Sequence, residues 1–502
     1  MNKKKLIVLC VLALLLVGLI AGLVVHDRME KAEQERLRIY NETYLVMDGM
    51  EYRRDSTQLD LSNQEITEFE KLQELTALQK LDLRNTGMTV QQYDTLQAAL
   101  PDCDILWSVP FQGRFYDSTT SQMVLEHLSD SDLPMFAYLR ALSSINADQC
   151  QDYAALFALM EQYPQVAVTY AVPIGEISIT STQEEATIVD PQITELLQKL
   201  RFLPNLKTVT LSGSLPSNEE LLQLKGAFPG IKFHWDLTVC GVSTNTFAEF
   251  LDLSNIKMGS MAELEAALPC FYNLRKVDMV NCGFSNPDME ALNNRHPGTS
   301  FVWKVSISGS YFRTDIRYFM LWKLPRRMPG ALSNLRYCTE VEVLDFGHFG
   351  VTDLSFIEYM PKLRFLLILE TYITDLSVIG NCTSLEYAEL ATINVTDFWP
   401  LTNLTNLKCL NLSHTPYFGV NSNGRNIYGK FGDFTPLLQM TWLDRLWLAN
   451  SRVGEEGQAI LNEALPNVEM CFVSISATDR GWRYAPGYYE MRDILGMAYY
   501  VW

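Results

Sequence analysis

The feature that most constrains the fold is a 22-residue repeat in the second half of the chain. Rows of this length begin at Val341, Leu363, Leu385 and Leu407, and most open with apolar residues spaced as L-x-x-L-x-L. A further row begins at Leu443, 36 residues after Leu407, so one row carries an insertion of about 14 residues (418–432). One row has a single apolar face and cannot form a core alone, whereas stacked rows can. The repeat therefore predicts an array of stacked short strands.

Each row continues with the same local signals after its strand. An apolar residue turns the chain inward again at Val351, Ile373, Val395 and Val453. An aspartate then precedes an apolar stretch and suits the start of a short helix or 3-10 turn; these residues are Asp353, Asp375, Asp397 and Asp433.

This pattern resembles the leucine-rich repeat, and the 22-residue rows are similar to those of bacterial internalins. The resemblance implies an α/β fold, a leucine-rich-repeat solenoid whose curved parallel sheet carries helices or 3-10 turns on its convex side. The consensus asparagine of the turn is replaced by Thr371, Ile393, Thr415 and Ser451. We expect a regular array over residues 337–476.

Similar but less regular rows occur earlier in the chain. Two of them, around Leu59 and Leu81, are 22 residues apart. Others begin at Leu206, Ala248 and Leu274, and long return segments predict helices over 90–100 and 219–228. These rows predict an irregular array over residues 53–310.

A second, longer period overlies the rows. Five prolines precede strongly alternating segments, and an aromatic residue follows each proline by six positions: Trp107, Tyr170, Trp235, Trp303 and Phe472. Most of these segments lead through glycine into a second extended stretch. We therefore expect a β-extension, in the form of a hairpin, at intervals of about 65 residues.

The N-terminus contains a membrane-spanning candidate. Residues 6–25 are uncharged and follow Lys3, Lys4 and Lys5. A helix of 20 residues spans roughly 30 Å, the thickness of a bilayer core. We interpret 6–25 as an uncleaved signal anchor, with 1–5 as a cytoplasmic tail, 26–52 as a stem and residues 26–502 outside the cell; a cleaved signal peptide is the competing interpretation. The anchor and the blocks together resemble membrane-anchored leucine-rich-repeat surface proteins of Firmicutes, which implies a bacterial cell-surface location.

Two further segments differ from the arrays in composition. Residues 311–336 are basic, contain Pro325 and Pro329, and are predicted to be a hinge between the arrays. Its cluster of Lys323, Arg326 and Arg327 is either solvated or contacts an anionic cell-wall polymer or the protein's own acidic rows. Residues 477–502 are rich in aromatic residues and are interpreted as a C-terminal cap, with an aromatic ligand platform as the alternative.

Charge and motifs exclude several classes of function. With 40 basic and 59 acidic residues the net charge is −19, which argues against nucleic-acid binding. The chain has no GxSxG, HExxH or phosphate-loop motif and no paired metal-ligand spacing, so we expect no enzyme activity, no metal and no cofactor. Most of the ten cysteines are expected to be buried free thiols, with a Cys270 bridge to Cys282 or Cys240 as the alternative. The glycosylation sequons fall mostly within rows, where Asn and Thr are ordinary repeat residues.

The candidate binding surface is the strip formed by the outward positions of the regular rows. It is unusually apolar, whereas the matching early positions (Gln58, Asp60, Lys80, Asp82, Thr208 and Thr210) are polar. An exposed apolar patch usually marks an interface. The candidate ligand-binding residues are Val343, Asp345, Phe365, Leu367, Tyr387, Glu389, Asn411, Arg445 and Trp447.

Three interpretations of this strip remain open. It binds a protein or peptide, it stacks on a glycan or cell-wall polymer, or it is covered by the inserted loop or by the C-terminal tail. The first two make the chain a cell-surface binding module. The alternative function is a structural spacer or assembly component of the envelope without a specific soluble ligand.

Overall fold

The computed structural model describes residues 3–321, 332–420, 422–423, 425–429 and 432–497. They fall into two compact units, Met1–His234 and Trp235–Trp502.

The first unit begins with one long helix, α1 (Lys3–Thr43). Its segment Leu6–Thr43 is long and apolar enough to cross a membrane, judged by length and composition. The helix continues past the apolar run because its charged residues pair at helical spacing, as in Lys31–Asp27 at 2.8 Å. A tight hairpin of β1 (Tyr44–Met47) and β2 (Met50–Arg53) follows directly.

Short parallel strands form the rest of this unit, in groups of three. The registers align the inward leucines: in the first group Leu59 lies beside Leu81, which lies beside Ile105. The third strand of the first two groups continues into an antiparallel partner. The strands are β3 (Gln58–Asp60), β4 (Lys80–Leu83), β5 (Asp104–Phe111), β6 (Arg114–Asp117), β7 (Gln122–Val124), β8 (Ser144–Ala147), β9 (Ala167–Ile174), β10 (Ile177–Thr180), β11 (Glu185–Val189), β12 (Thr208–Ser212) and β13 (Lys232–His234).

Helices and 3-10 turns return the chain from one strand to the next. Two of the helices begin with a capping box, in which Thr89 pairs with Gln92 and Ser217 with Glu220. The helices predicted over 90–100 and 219–228 are confirmed. The return segments are α2 (Val90–Ala99), α3 (Tyr153–Gln162), α4 (Ile193–Lys199) and α5 (Asn218–Ala227), with 3-10 turns at Phe69–Glu74, Asp130–Tyr138 and Leu200–Phe202.

The second unit repeats this design and then becomes regular. Two further hairpins and one three-stranded group precede a seven-stranded parallel sheet. The strands of the second unit are β14 (Asp236–Val239), β15 (Val242–Asn245), β16 (Phe250–Asp252), β17 (Lys276–Asp278), β18 (Ser300–Val302), β19 (Lys304–Ile307), β20 (Ser310–Arg313), β21 (Tyr318–Met320), β22 (Val343–Asp345), β23 (Phe365–Leu367), β24 (Tyr387–Glu389), β25 (Cys409–Asn411), β26 (Tyr417–Val420), β27 (Asn426–Tyr428), β28 (Arg445–Trp447) and β29 (Glu469–Cys471).

The helices of the second unit are short. They are α6 (Ala262–Ala267), α7 (Asn286–Arg295), α8 (Thr435–Leu438), α9 (Glu455–Ala464) and α10 (Pro486–Ile494), with 3-10 turns at Leu268–Cys270, Leu332–Tyr337, Ser355–Tyr359, Ile379–Asn381, Trp399–Asn403 and Trp482–Tyr484.

The seven-stranded sheet runs in the order β21-β22-β23-β24-β25-β28-β29. In five neighbouring strands of this sheet, β22, β23, β24, β25 and β28, the central residue is fully buried: Leu344, Leu366, Ala388, Leu410 and Leu446. The sheet begins at Tyr318, inside the segment predicted as a hinge. Of that segment's basic residues, Arg313 and Arg317 pair with the acidic residues Asp278 and Glu342. The cluster Lys323, Arg326 and Arg327 lies outside the described residues, and the hinge stays a prediction.

The aspartates of the regular rows begin short turns, as predicted. Asp353, Asp375, Asp397 and Asp433 each accept the backbone N–H of the residue two positions later, at 2.8–2.9 Å. At two of the positions where the consensus has asparagine, a hydroxyl group bonds a backbone carbonyl instead. Thr371 donates to the carbonyl of Ile368, and Ser451 donates to that of Leu412 in the preceding row. These bonds satisfy buried carbonyls, so the rows stay regular without asparagine.

Four of the five expected hairpins are present, formed by β5–β6, β9–β10, β14–β15 and β19–β20. In each, the aromatic residue six positions after proline donates its backbone N–H to a hydroxyl eleven residues later. The pairs are Trp107 with Ser118, Tyr170 with Ser181, Trp235 with Thr246 and Trp303 with Thr314, at 3.1–3.4 Å. The fifth expectation, at 465–476, is wrong: β29 forms there, and Arg483 occupies the position of the closing hydroxyl.

None of the ten cysteines forms a disulfide, and seven are buried. Burial raises the pKa of Cys338 and of Cys382 to about 12, so these thiols are inert side chains of the core. No disulfide joins Cys270 to Cys282 or Cys240, so the alternative of a Cys270 bridge is wrong.

Candidate functional site

The nine candidate residues lie side by side on five neighbouring strands. Strand register places Val343, Phe365, Tyr387 and Arg445 in one line, with Cys409 between the last two. Two positions further along the strands, Asp345, Leu367, Glu389, Asn411 and Trp447 form a second line. The nine residues therefore share one face of the sheet, and their role in ligand binding stays a prediction. We call this face the groove.

The groove is closed, which corrects the expectation of an exposed strip. Val343, Phe365, Tyr387, Glu389 and Asn411 are at most 1% exposed, and Leu367 and Trp447 are also buried. Asp345 and Arg445 are partly buried. The physical reason is that Trp482, Ala485, Met491 and Leu495 pack on the apolar side chains of the groove and form one cluster with them. We call residues 477–497 the strap.

The strap therefore corresponds to the third interpretation, in which the tail covers the strip. It lies across several rows, whereas the predicted cap covers only the last. Tyr484 is exposed, and the terminal aromatic residues Tyr499, Tyr500 and Trp502 lie outside the described residues. The inserted loop 418–432 contains its own antiparallel hairpin, β26–β27, and its residues Asn421 and Gly424 lie outside the described residues.

A buried carboxylate lies at the centre of the groove. Glu389 is 0% exposed and accepts the indole N–H of Trp482 at 2.9 Å. Arg483 donates to both of its oxygens, at 3.2 Å and 2.9 Å, and the hydroxyl of Tyr387 donates at 2.9 Å. A buried charge is tolerated only with such partners, because its desolvation costs several kcal/mol.

The same cluster shifts the ionisation of its members. Burial, with the charge of Glu389 and its hydrogen bond, raises the pKa of Tyr387 well above 10, so its hydroxyl remains a donor. Burial alone would lower the pKa of Arg483, but the charge of Glu389 outweighs it and raises that pKa. The Arg483 guanidinium therefore stays charged beside Glu389.

Two other groove residues contact the main chain of the strap. Arg445 donates to the carbonyl oxygens of Gly481 and Trp482, each at 3.0 Å, while Glu469 holds its guanidinium at 2.7 Å. Asn411 donates to the carbonyl of Ala477 at 2.7 Å. These contacts depend on the path of the strap and not on its side chains.

Aromatic packing completes the contact. The Trp482 ring lies between those of Tyr387 and Trp447, with centroids 5.1 Å and 5.5 Å away. The Arg445 guanidinium lies 4.4 Å from the centroid of Trp447. The buried indole N–H of Trp447 has no acceptor among the residues that the structure describes.

At the edge of the groove, Arg364 joins Glu386 of its own sheet to Glu490 of the strap, at 2.7 Å and 2.6 Å. Sequence reasoning missed Arg364, Trp482 and Arg483 as members of this site. The aromatic density of the tail was the one available signal for Trp482. Within the described part of the chain, no group of three or more His, Cys, Asp or Glu residues could hold a metal ion.

Rows of short parallel strands, a continuous leucine core and aspartate-led turns define the chain as a leucine-rich-repeat solenoid that follows an N-terminal helix. No family model matches the sequence, and no curated protein matches it significantly. Similar solved structures include an internalin from Listeria monocytogenes, with 13% identity and a TM-score of 0.24, covering 85% of this chain and 84% of that one.

A leucine-rich-repeat protein from Leptospira interrogans is also similar, at 14% identity and a TM-score of 0.24, covering 84% of this chain and 96% of that one. A third is the leucine-rich-repeat ectodomain of the plant membrane receptor kinase GASSHO1/SCHENGEN3 from Arabidopsis thaliana, in complex with Casparian strip integrity factor 2. Its identity is 12% and its TM-score 0.20, over 84% of this chain and 38% of that one.

Proposed function

We propose that the protein is a membrane-anchored, cell-surface leucine-rich-repeat protein that binds a protein or peptide non-covalently through the groove. The observation that carries the proposal is that the groove already holds a polypeptide. It does so with a buried carboxylate, two side chains that bond main-chain carbonyls and a row of aromatic rings. Aromatic and arginine anchors at the centre of a desolvated surface dominate most peptide and protein contacts.

The membrane part of the proposal is supported by α1. Its apolar segment is fully exposed in the isolated chain, as expected of a segment whose solvent is lipid. Three lysines precede the apolar run, which favours residues 1–5 in the cytoplasm, 6–25 in the bilayer and 26–502 outside.

One observation favours the alternative of a structural envelope component. The strap buries the groove completely, as a permanent part of the core would. On that alternative the groove has no external ligand, and residues 477–497 serve only to cover the aromatic face of the sheet. Both functions share the anchored solenoid, and both are non-enzymatic.

Cross-linking on intact cells separates the two functions. The cells carry the wild-type chain, Glu389→Ala, or the control Glu370→Gln, whose carboxylate pairs with His348 on the exposed turn that follows β23. Binding through the groove predicts a cross-linked species of discrete mass that Glu389→Ala loses and Glu370→Gln keeps. A cross-link that survives in all three chains, or forms in none, contradicts the proposal.

Protease shaving of the same cells tests the topology separately. An external protease should remove the leucine-rich-repeat units and leave a small membrane-bound fragment. Full protection of the units in intact cells, with digestion after lysis, would place them on the inner side.

A further inference from the structure

The strap is bound to the groove in the manner of a ligand. Its central contact is made by two adjacent side chains: the indole of Trp482 and the guanidinium of Arg483 both donate to Glu389. Arg445 and Asn411 instead donate to carbonyl oxygens that every peptide possesses, and Arg364 at the edge of the groove pairs with Glu490 of the strap. The groove thus has one specific position and several general ones.

The groove accepts only a narrow range of groups at its specific position. Glu389 is fully buried between Tyr387 and Trp482, which both donate to it, so water cannot solvate its charge. Any occupant must supply hydrogen-bond donors and at least one positive charge there. An aromatic N–H donor beside a guanidinium meets both demands.

The strap is separable from the solenoid. The core of the seven-stranded sheet, including Leu366, Ala388 and Leu410, lies on the opposite face of the strands from the groove. Removing the strap would therefore leave that core intact. The chain leading into the strap is exposed, with Val473 at 70% and Ile475 at 91% exposure.

The fit of the strap is also incomplete. The indole N–H of Trp447 is buried without an acceptor among the described residues, and a buried donor left unbonded is unfavourable. Tyr484 of the strap points away from the groove and is 63% exposed. Within the described part of the chain, the strap thus leaves one polar group of the groove unbonded.

We infer that residues 477–497 are a displaceable, autoinhibitory strap, and that the ligand that displaces it is a peptide segment with an aromatic donor followed by arginine, as in Trp482-Arg483. This inference rests on the proposed function, because it names the partner and the regulation of the same groove. Binding is then a competition in which an external segment replaces the internal one.

Peptide exchange in trans tests the inference. The full-length chain in nanodiscs is titrated with a fluorescein-labelled synthetic peptide of residues 477–497. The Trp482→Ala/Arg483→Ala chain, whose own strap is weakened, should bind the peptide at least tenfold more tightly than wild type. Adding Glu389→Ala to that chain should remove the gain, and a peptide with the same two alanines should not bind.

A folded Trp482→Ala/Arg483→Ala chain that binds the peptide no better than wild type overturns the inference. Thermal unfolding followed by circular dichroism establishes that the chain is folded. If the variant proves unstable, amide hydrogen exchange of the wild type decides. Strap amides should exchange at least tenfold faster than those of β24 and β25, and equal rates overturn the inference.

The experiments distinguish a strap that is not displaceable from a groove that has no external partner. A groove-dependent cross-link on cells without peptide exchange refutes the displaceable strap and leaves the binding function standing. Peptide exchange without any groove-dependent cross-link supports an exchangeable strap and refutes the external partner.

Discussion

Carboxylates in this protein are stabilised by arginine in two different settings. Glu389 lies under the strap with no exposure, whereas Asp315 lies in the second unit beside Arg313 and Lys276 and is 17% exposed. Removing one partner of a buried pair is costly because it leaves the other desolvated and unpaired. The two sites therefore predict two different responses to mutation.

Glu389→Gln should destabilise the docked strap by about 3 kcal/mol, because the amide keeps one acceptor but leaves Arg483 without its counter-charge. Limited proteolysis after residue 476 should then become at least tenfold faster. The control Glu370→Gln, at a pair more than half exposed, should leave the cleavage rate unchanged. Equal rates in all three chains would mean that Glu389 does not hold the strap.

Asp315 predicts a pH-dependent stability. Burial alone would raise its pKa, but hydrogen bonds from Arg313 and Lys276 and their charges lower it to about 2, from 3.8. A depressed pKa stabilises the folded state above pH 4, and this stabilisation is lost as the pH falls from 4 to 2. Asp315→Asn should thus cost about 2 kcal/mol at pH 7 and much less near pH 2, measured by urea unfolding. An undiminished difference at pH 2 would contradict the assigned pKa.

At the scale of elements, the recurrent hairpins are closed by one hydroxyl each. Ser118, Ser181, Thr246 and Thr314 are all buried and accept an aromatic residue's backbone N–H. Without the hydroxyl that N–H would be buried and unbonded. In each of the four hairpins the hydroxyl residue follows the aromatic residue by eleven positions, and this spacing identifies the hairpins in the sequence.

Ser181→Ala should lower the free energy of unfolding of the first unit by about 1–2 kcal/mol, because the amide of Tyr170 loses its acceptor. Ser178→Ala, at an exposed position of β10, is the matched control and should change it by less than about 0.5 kcal/mol. Urea unfolding of both variants measures the difference. Equal losses in the two would show that the hydroxyl does not close the hairpin.

Much of the fold could be predicted at this scale because its signals are local. The leucine spacing places the strands, aspartate places each turn, and proline followed by an aromatic residue places the hairpins. The fifth copy failed because a hairpin also needs the closing hydroxyl, and Arg483 stands in its place. Where Thr371 and Ser451 replace asparagine, their hydroxyls satisfy the same kind of buried carbonyl.

At the scale of the molecule, the seven-stranded sheet has two apolar faces with different partners. One face packs on the returning turns of its own rows, and this pairing follows from the repeat. The other face, the groove, packs on a segment that begins more than a hundred residues after its first strand. The repeat fixes which side chains point into the groove but contains no information on what covers them.

The contact between Glu389 and the strap was therefore beyond sequence reasoning. The two strap residues that bond Glu389 are 93 and 94 residues away from it, and neither belongs to a row. The aromatic composition of both the groove and the C-terminal tail indicates that the tail is able to pack on the groove. Only the register of β24 and the path of the strap show that a carboxylate lies between them.

We propose that the groove is a peptide-binding surface occupied by the chain's own strap. Amide hydrogen exchange of the full-length chain in nanodiscs, comparing wild type with Glu389→Gln, tests whether Glu389 holds the strap there. In wild type the Trp482 and Leu495 amides, which donate to the backbone carbonyls of Asp479 and Met491, should be partly protected by the docked strap and still exchange at least tenfold faster than those of β24 and β25. In the variant these amides should exchange at least tenfold faster while β22–β25 are unchanged. A wild-type strap without any protection, or loss of protection throughout the sheet in the variant, would show that Glu389 does not hold a docked strap in the groove.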